Sequence, residues 1–291
     1  MKKIIVLLLL SLSAFSAGAA DLKTADRLLN AGSYDAAFTE LESCLAEAAT
    51  PAARSEALWR LARLCAVRGS QVAGKQEKLA VFEKGADYAA RGVKETPDKA
   101  ACHMWHCANV GYACQLKSTK DMIAAVPVMT GDLTTILDRL GRTNCSEAWQ
   151  ALSEIYWRHP FKSDDAAVNF ARKAAMTIPS SELRLTTYAY FANLLIKRDN
   201  SAAKRKSAAL SGASKLKSAK GNIGRCEYLD ASLGAYYVPV WDTRTLGEMS
   251  DRQEAAAIIE YALKLSKSKP SIPAAERPVL KELNNMKSQL K

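Results

Sequence analysis

The stretch that decides the fold is Ser146–Pro179, SEAWQALSEIYWRHPFKSDDAAVNFARKAAMTIP. Its first half carries large and small side chains at helical spacing: Trp149, Leu152, Ser153 and Tyr156. Its second half carries small residues at helical spacing and ends on a proline: Ala167, Ala171, Ala174 and Pro179. Small residues let two helices approach closely, and large residues fill the remaining space. Because one hairpin of this size cannot bury its apolar face alone, the stretch predicts a stack of helical hairpins.

Similar spacing recurs along the 291 residues, which show no sustained period-two alternation and are rich in Ala, Leu, Lys and Glu. We therefore predict an all-α solenoid of about five to six helical hairpins over residues 21–291, with a capping helix at Val279 to Leu290. The repeats are clearest over 55–179 and degenerate over 222–270. An ordinary helical bundle is the alternative.

Two details of the helical pattern are specific enough to compare with a structure. The fifth hairpin is predicted to pair an apolar stripe near Phe191 with the basic, Ala-rich run Ser201 to Lys217. In the third hairpin, Pro127 is expected to kink or break the second helix, because proline lacks a backbone N–H and clashes with the preceding turn.

The first twenty residues have the features of a signal peptide. Lys2 and Lys3 precede a short apolar run, Ile4 to Leu12, and small residues at Ala17 to Ala19 suit a signal peptidase. The run is too short for a comfortable membrane span, and no later stretch is apolar enough for one. No cysteine follows the run to carry a lipid anchor. The sequence therefore predicts an exported, periplasmic protein.

The formal net charge is +11, and removing Lys2 and Lys3 leaves 11 − 2 = +9. Much of the excess falls in one region, where only Asp199 opposes a basic set: Lys197, Arg198, Lys204, Arg205, Lys206, Lys215, Lys217, Lys220 and Arg225. A second basic run extends from Lys264 to Lys291. Such regions attract nucleic acid, anionic lipid or acidic proteins. Because export makes nucleic acid the least suitable, we predict no nucleic-acid partner; a solvated helix face is the alternative.

Seven cysteines occur, at positions 44, 65, 102, 107, 114, 145 and 226. An odd number leaves at least one thiol unpaired within the chain, and the spacings are not those of a small disulfide framework. Cys44 and Cys65 fall at small-residue packing positions, so we expect them to be buried as small apolar side chains.

The hairpin over 146–179 resembles the tetratricopeptide (TPR) pattern W-x2-L-G-x2-Y, A-x3-F-x2-A, P. With LWRLAR (Leu58 to Arg63) and ACHMW (Ala101 to Trp105), it also resembles TPR proteins related to the regulators of microtubule dynamics. The chain is similar, too, to the TPR component of bacterial TRAP-type transporters. It departs from these families at Arg158 to Lys162, where glycines are common, and it lacks the lipid-anchor cysteine of the transporter lipoproteins. The resemblance implies a TPR scaffold and, more narrowly, a transporter partner.

The string Cys102–Cys107, CHMWHC, is the most suggestive of chemistry. Cys102 and His106 lie one turn apart, as do His103 and Cys107, and such pairs can share a metal. A closed site needs about four converging ligands, whereas these four spread around the helix. We therefore predict no metal and no cofactor. Because the chain also lacks a Gly-rich phosphate loop, a nucleophile elbow and HExxH, we predict no catalysis.

In TPR proteins, which the chain resembles, the first helices of the hairpins line a concave groove, and the resemblance implies such a face here. It carries these candidate ligand-binding residues: Trp59, Arg63, His103, His106, Glu147, Gln150, Glu154, Trp157, Arg158 and Asn193. Tryptophan would supply apolar contact, and arginine would clamp a carboxylate. The alternative is that Trp59 and Trp157 belong to the core between repeats.

These observations predict a non-catalytic scaffold that binds a protein, a peptide or a small ligand in its concave groove. One alternative is an accessory of a TRAP-type transporter that handles a small anionic ligand, which an enclosed apolar pocket would favour. A second is docking on anionic envelope surfaces through the basic patch Lys197, Arg198, Lys204, Arg205 and Lys206, which salt-dependent vesicle binding would reveal.

Overall fold

A computed structural model describes residues 21–272 and 276–290, which are helical with no strand. The helices, in chain order, are α1 (Leu22–Asn30), α2 (Tyr34–Glu47), α3 (Pro51–Gln71), α4 (Lys75–Glu95), α5 (Ala100–Gln115), α6 (Thr119–Thr134), α7 (Ser146–Arg158), α8 (Asp164–Met176), α9 (Leu185–Arg198), α10 (Ala202–Ser218), α11 (Gly221–Cys226), α12 (Leu229–Leu233), α13 (Asp251–Ser268) and α14 (Arg277–Gln289). The all-α repeat fold is confirmed. The predicted signal peptide, residues 1–20, lies outside the described residues.

Five antiparallel hairpins stack side by side: α1–α2, α3–α4, α5–α6, α7–α8 and α9–α13. The hairpin predicted from 146–179 is α7–α8, in which Trp149 stacks on Phe170 with 6.0 Å between ring centroids. Serine suits its position in α7, because Ser153 Oγ donates to the carbonyl of Ala167 at 2.7 Å. The capping helix α14 packs on α9 and α13 and buries Leu283.

The second helix of the fifth hairpin is α13, so the predicted pairing of α9 with the basic run was wrong. Phe191 and Leu195 of α9 share a buried cluster with Ile258 and Ile259 of α13. The basic run forms α10, which buries only Arg205 and Gly212 and therefore has no apolar stripe to offer α9. Helices α10 to α12 form an insertion between the two halves of this hairpin.

The expected break at Pro127 does not occur. Helix α6 continues through this residue to Thr134 and passes into one π-helical turn, Thr135–Arg139. Pro127 is exposed, so its ring does not disturb the packed side of the helix.

Two glycines allow α4 to pack closely between α3 and α5. A Cβ atom added at Gly85 would lie 2.7 Å from Cys65 Cβ, and one added at Gly92 would lie 2.7 Å from Cys102 Sγ. Both distances are shorter than van der Waals contact. The three helices can therefore approach as they do only because these positions lack side chains.

A buried ion network joins the insertion to the repeats. It consists of Arg172, Arg198, Arg205, Asp230, Asp251 and Glu254. Arg172 of α8 reaches both carboxylate oxygens of Glu254, at 3.1 and 2.8 Å, and Arg205 of α10 reaches one of them at 2.8 Å. Glu254 and Arg172 are fully buried. The network therefore attaches α10 through a charged residue where a repeat helix would use an apolar stripe.

Candidate ligand-binding pocket

A cavity of about 750 Å³ lies among α5, α6 and α7. Its apolar wall includes three methionines, which adapt to irregular ligands, and several aliphatic residues: Met104, Ala108, Met122, Ile123, Val126, Met129, Ala151 and Ile155. Part of its polar lining comes from successive turns of α7: Glu147, Gln150, Glu154 and Arg158. The cavity is therefore mainly apolar, with charged groups along α7 and beside the start of α5, at Asp98 and Lys99.

The cavity forms where the stacking of the hairpins is loosest. Helix α6 packs extensively on α5 but touches α7 at few positions. Met129 and Leu133, in the last turns of α6, reach the buried cluster that contains Trp149 and Leu152 of α7. The earlier turns of α6 carry Met122 and Val126, which are only half-buried and face the cavity instead.

The acidic residues of the pocket already have partners within the chain. Glu147 forms an ion pair with Arg184. Burial raises the pKa of Glu147, but its own backbone N–H and Arg184 outweigh this and hold the pKa below its ordinary value. Gln150 donates to Glu154 Oε1 at 3.1 Å and accepts from the Thr187 hydroxyl at 2.8 Å.

The arginines of the pocket, unlike Glu147, have no ionic partner among the described residues. Arg142 and Arg158 both line the cavity and are exposed. Neither forms an ion pair with another residue in the described parts of the chain. The pocket therefore offers two guanidinium groups to an anion from outside.

A buried carboxylate behind the pocket joins α5 to α6. Asp132 of α6 accepts a hydrogen bond on each of its oxygens, from His103 Nδ1 at 2.8 Å and from His106 Nδ1 at 2.7 Å. His103 Nε2 lies 2.8 Å from the carbonyl oxygen of Pro97. Since a carboxylate and a carbonyl can only accept, both nitrogens of His103 must donate, and the ring is an imidazolium.

The pKa shifts of His103 and Asp132 agree with the hydrogen bonds between them. The hydrogen bond to Asp132 raises the pKa of His103 above its ordinary value of 6.5, against the effect of burial. Burial raises the pKa of Asp132, but the hydrogen bonds from His103 and His106 outweigh it and keep that pKa below 3.8. The cluster therefore holds the wall helix α6 in place with a buried ion pair.

The ten predicted ligand-binding residues are divided among several places. Glu147, Gln150, Glu154 and Arg158 line the cavity, while His103 and His106 lie behind its wall. The remaining four lie elsewhere: Trp59, Arg63, Trp157 and Asn193. Trp59 Nε1 donates to Glu56 at 2.8 Å, and the Arg60 guanidinium lies 4.2 Å from its ring. Trp157 packs against two buried clusters at once, in agreement with its alternative assignment to the core between repeats.

Sequence reasoning missed Asp132, Arg142 and the wall supplied by α6. The available signal was the run MIAAV at Met122 to Val126, whose apolar residues do not all fit inside a hairpin. Asp132 could have been noticed as the acidic residue directly before the apolar positions Leu133, Ile136 and Leu137. Neither signal reveals the spacing of α6 from α7, which creates the cavity.

The predicted basic patch requires a correction, because two of its five members are not on the surface. Arg198 pairs with Asp251 at 2.7 Å and Arg205 pairs with Glu254, both with side chains at most 5% exposed. Guanidinium groups form bidentate bonds that suit a buried network, whereas lysine ammonium groups favour water. Lys197, Lys204 and Lys206 are exposed.

The thiols of the described residues are not paired in disulfides. Cys65 is buried as expected, which raises its pKa to about 11, and Cys44 is half-buried. Within residues 21–272 and 276–290, no three His, Cys, Asp or Glu side chains are grouped as a metal site. In the same ranges no helix is long and apolar enough to cross a membrane.

A family model matches the N-terminal part of the chain. The model of the family Regulator of microtubule dynamics protein 1-3 matches residues 21–131, a little over a third of the chain. The matched part covers α1 to α5 and most of α6, so it includes two of the three pocket walls and ends before α7. No curated protein shows significant similarity to the chain.

Proposed function

We propose that this protein is a non-catalytic binding protein that holds a small, mainly apolar ligand with an anionic end among α5, α6 and α7. The observation that carries the proposal is the cavity of about 750 Å³. Ligand pockets commonly occupy roughly 300–1,000 Å³, with apolar walls and a few polar groups that fix orientation. The cavity has a volume in this range, apolar walls and a few polar groups.

The charge of the ligand is proposed from the residues at the polar side. Glu147 is paired with Arg184, whereas Arg142 and Arg158 have no partner in the described residues. A carboxylate or phosphate would give these arginines a counter-charge that no described residue supplies through an ion pair. An accessory role in a TRAP-type transporter is a narrower form of this proposal, since its ligand would also be a small anion.

The TPR assignment and export belong to the same proposal. A TPR solenoid would bind its ligand on the concave face, which α5 and α7 would form. Export is proposed from the sequence of residues 1–20 and is tested by N-terminal sequencing of the protein recovered from cells, which should begin after position 20 if a signal peptidase acts there.

The first experiment is native mass spectrometry of the purified protein, followed by denaturation to release any bound molecule. Calorimetric titration then compares a medium-chain carboxylate with the alcohol and amine of the same length. We expect the carboxylate to bind best. Replacing both Arg142 and Arg158 by Gln should remove its advantage over the alcohol, a change of about fivefold for exposed pairs.

A cavity-filling variant tests the location. Ala151 is half-buried in the cavity wall, so Ala151→Phe should weaken binding of all three compounds by at least about tenfold. Ala203→Phe on the exposed face of α10 is the matched control and should bind as the unmodified protein does. The proposal fails if Ala151→Phe folds and binds normally, or if no compound binds and no molecule copurifies. A copurified peptide would favour the broader scaffold function instead.

A further inference from the structure

Helix α10 presents an unusual surface for an inserted helix. Its inner side is marked by its two buried residues, Arg205 and Gly212. At about 100° per residue, the side opposite to these carries small residues and one leucine: Ala203, Ser207, Leu210 and Ser214. All four are exposed, and the side chain of Leu210 stands out because the residue is 69% exposed.

Lysines form a row on each side of this outer strip. The same helical geometry places Lys206 and Lys217 along one edge and Lys204 and Lys215 along the other. All four are exposed, and none forms a salt bridge within the described residues. Leu210 therefore lies at the centre of a rectangle of four free ammonium groups.

No acidic residue interrupts the lysines along the sequence. Between Asp199 and Glu227 the sequence contains neither aspartate nor glutamate. The buried Arg205 of this helix pairs with Glu254 in the ion network. The lysines form no ion pair with the described residues of that network, so their positive charges remain available. Lys220 and Arg225 are exposed and extend the basic region beyond the end of α10.

We propose that the outer face of α10 docks on the surface of an anionic lipid bilayer. Two rows of lysines suit a plane of anionic headgroups, because their aliphatic stems can lie along the interface while the ammonium groups reach the phosphates. The exposed leucine between the rows would be stabilised by entering the headgroup region. Binding to an acidic protein in water would not bury this leucine in the same way. This inference is independent of the pocket and of its ligand.

Vesicle flotation tests the proposal. It is carried out on the full chain and on the chain that begins at Asp21, so that any vesicle binding due to the apolar run Ile4 to Leu12 can be identified. Vesicles of phosphatidylcholine are compared with vesicles that also contain phosphatidylglycerol. We expect binding to the anionic vesicles only, weakening steeply as salt is added. Replacing Lys204, Lys206, Lys215 and Lys217 by Gln should weaken it roughly 600-fold, since each of the four basic residues near the surface contributes about fivefold.

The matched control changes the same net charge elsewhere: Lys23, Lys75, Lys94 and Lys120, all exposed, are replaced by Gln. It should retain most of the binding. A second variant, Leu210→Ser, should weaken vesicle binding but leave binding to polyglutamate unchanged. The proposal is overturned if the two quadruple variants behave alike, if anionic vesicles are not bound, or if polyglutamate binds as tightly and Leu210→Ser has no effect. The last result would indicate an acidic protein partner.

Discussion

Replacing Asp132 by Asn is the most informative perturbation of the pocket wall. The Asp132 side chain is 9% exposed and accepts one hydrogen bond on each oxygen, from His103 and His106. Asparagine has nearly the same shape but carries no charge. In the variant, the His103 ring must either remain charged without a counterion or release the proton of Nδ1, which then accepts from the introduced amide while Nε2 still donates to the Pro97 carbonyl.

The size of the effect depends on pH. Because the folded-state pKa of His103 is raised above 6.5, its stabilising contribution is complete below that value and is lost as pH rises through the folded pKa. The pKa of Asp132 is lowered, so its contribution is present above about 3.8 and is lost as pH falls. The pair therefore stabilises most between these values. Removing one partner of a buried pair costs about 3–5 kcal/mol, whereas losing a neutral hydrogen bond costs about 1 kcal/mol.

Urea denaturation at pH 5.5 and pH 8.5 measures this difference. We expect Asp132→Asn to lower the free energy of unfolding by about 3 kcal/mol at the lower pH and by about 1 kcal/mol at the higher one. The control is Asp87→Asn on α4, an exposed aspartate at the edge of ion-pair distance from Arg91, which should change neither value appreciably. An equal and small loss, about 1 kcal/mol at both pH values, would refute the assignment of His103 as an imidazolium. A larger loss at pH 8.5 than at pH 5.5 would contradict the predicted direction of the pH dependence.

Two further predictions concern stability and can be measured by the same denaturation. Glu254→Gln should destabilise the fold by about 3–5 kcal/mol, because it leaves Arg172 and Arg205 buried without their shared counterion, whereas Glu260→Gln on the exposed side of α13 should have little effect. Gly85→Ala should destabilise by about 1–3 kcal/mol through overpacking against Cys65; Gly131→Ala, where an added Cβ meets nothing within 4 Å, should stabilise α6 by up to about 1 kcal/mol. If both glycine variants changed stability equally, the close approach of α3, α4 and α5 would not be the cause.

The helices and their hairpin pairing were predictable where apolar and small residues alternate at helical spacing. Trp149, Ser153 and Ala167 meet as their spacing indicates, because local pattern determines which side of a helix faces its neighbour. The partner of α9 was not predictable in this way. The basic run follows α9 directly in sequence, but its buried position is taken by Arg205, whose counterion Glu254 lies far along the chain. Pairing between distant charges has no periodic signature.

The candidate site was predictable only in part for a related reason. The register of α7 identifies Glu147, Gln150, Glu154 and Arg158 as neighbours on one side of a helix, and these four do line the cavity. Whether that side faces a groove, a neighbouring helix or a cavity depends on the distance between α6 and α7. This distance is set by packing elsewhere and not by either helix alone.

The insertion explains how the loose contact between α6 and α7 is tolerated. Helix α11 follows α10 and reaches the π-helical turn after α6, where the Asn222 side chain donates to the Leu137 carbonyl at 2.8 Å. The next residues reach α7 and α8: the Tyr156 hydroxyl donates to Glu227 at 2.6 Å, and Asn169 donates to the Glu227 carbonyl at 2.9 Å. The segment that carries the lysines of α10 therefore also bridges the two sides of the cavity from behind. Because this bridge adds to the sparse direct packing of α6 on α7, the cavity can remain open without separating the hairpins.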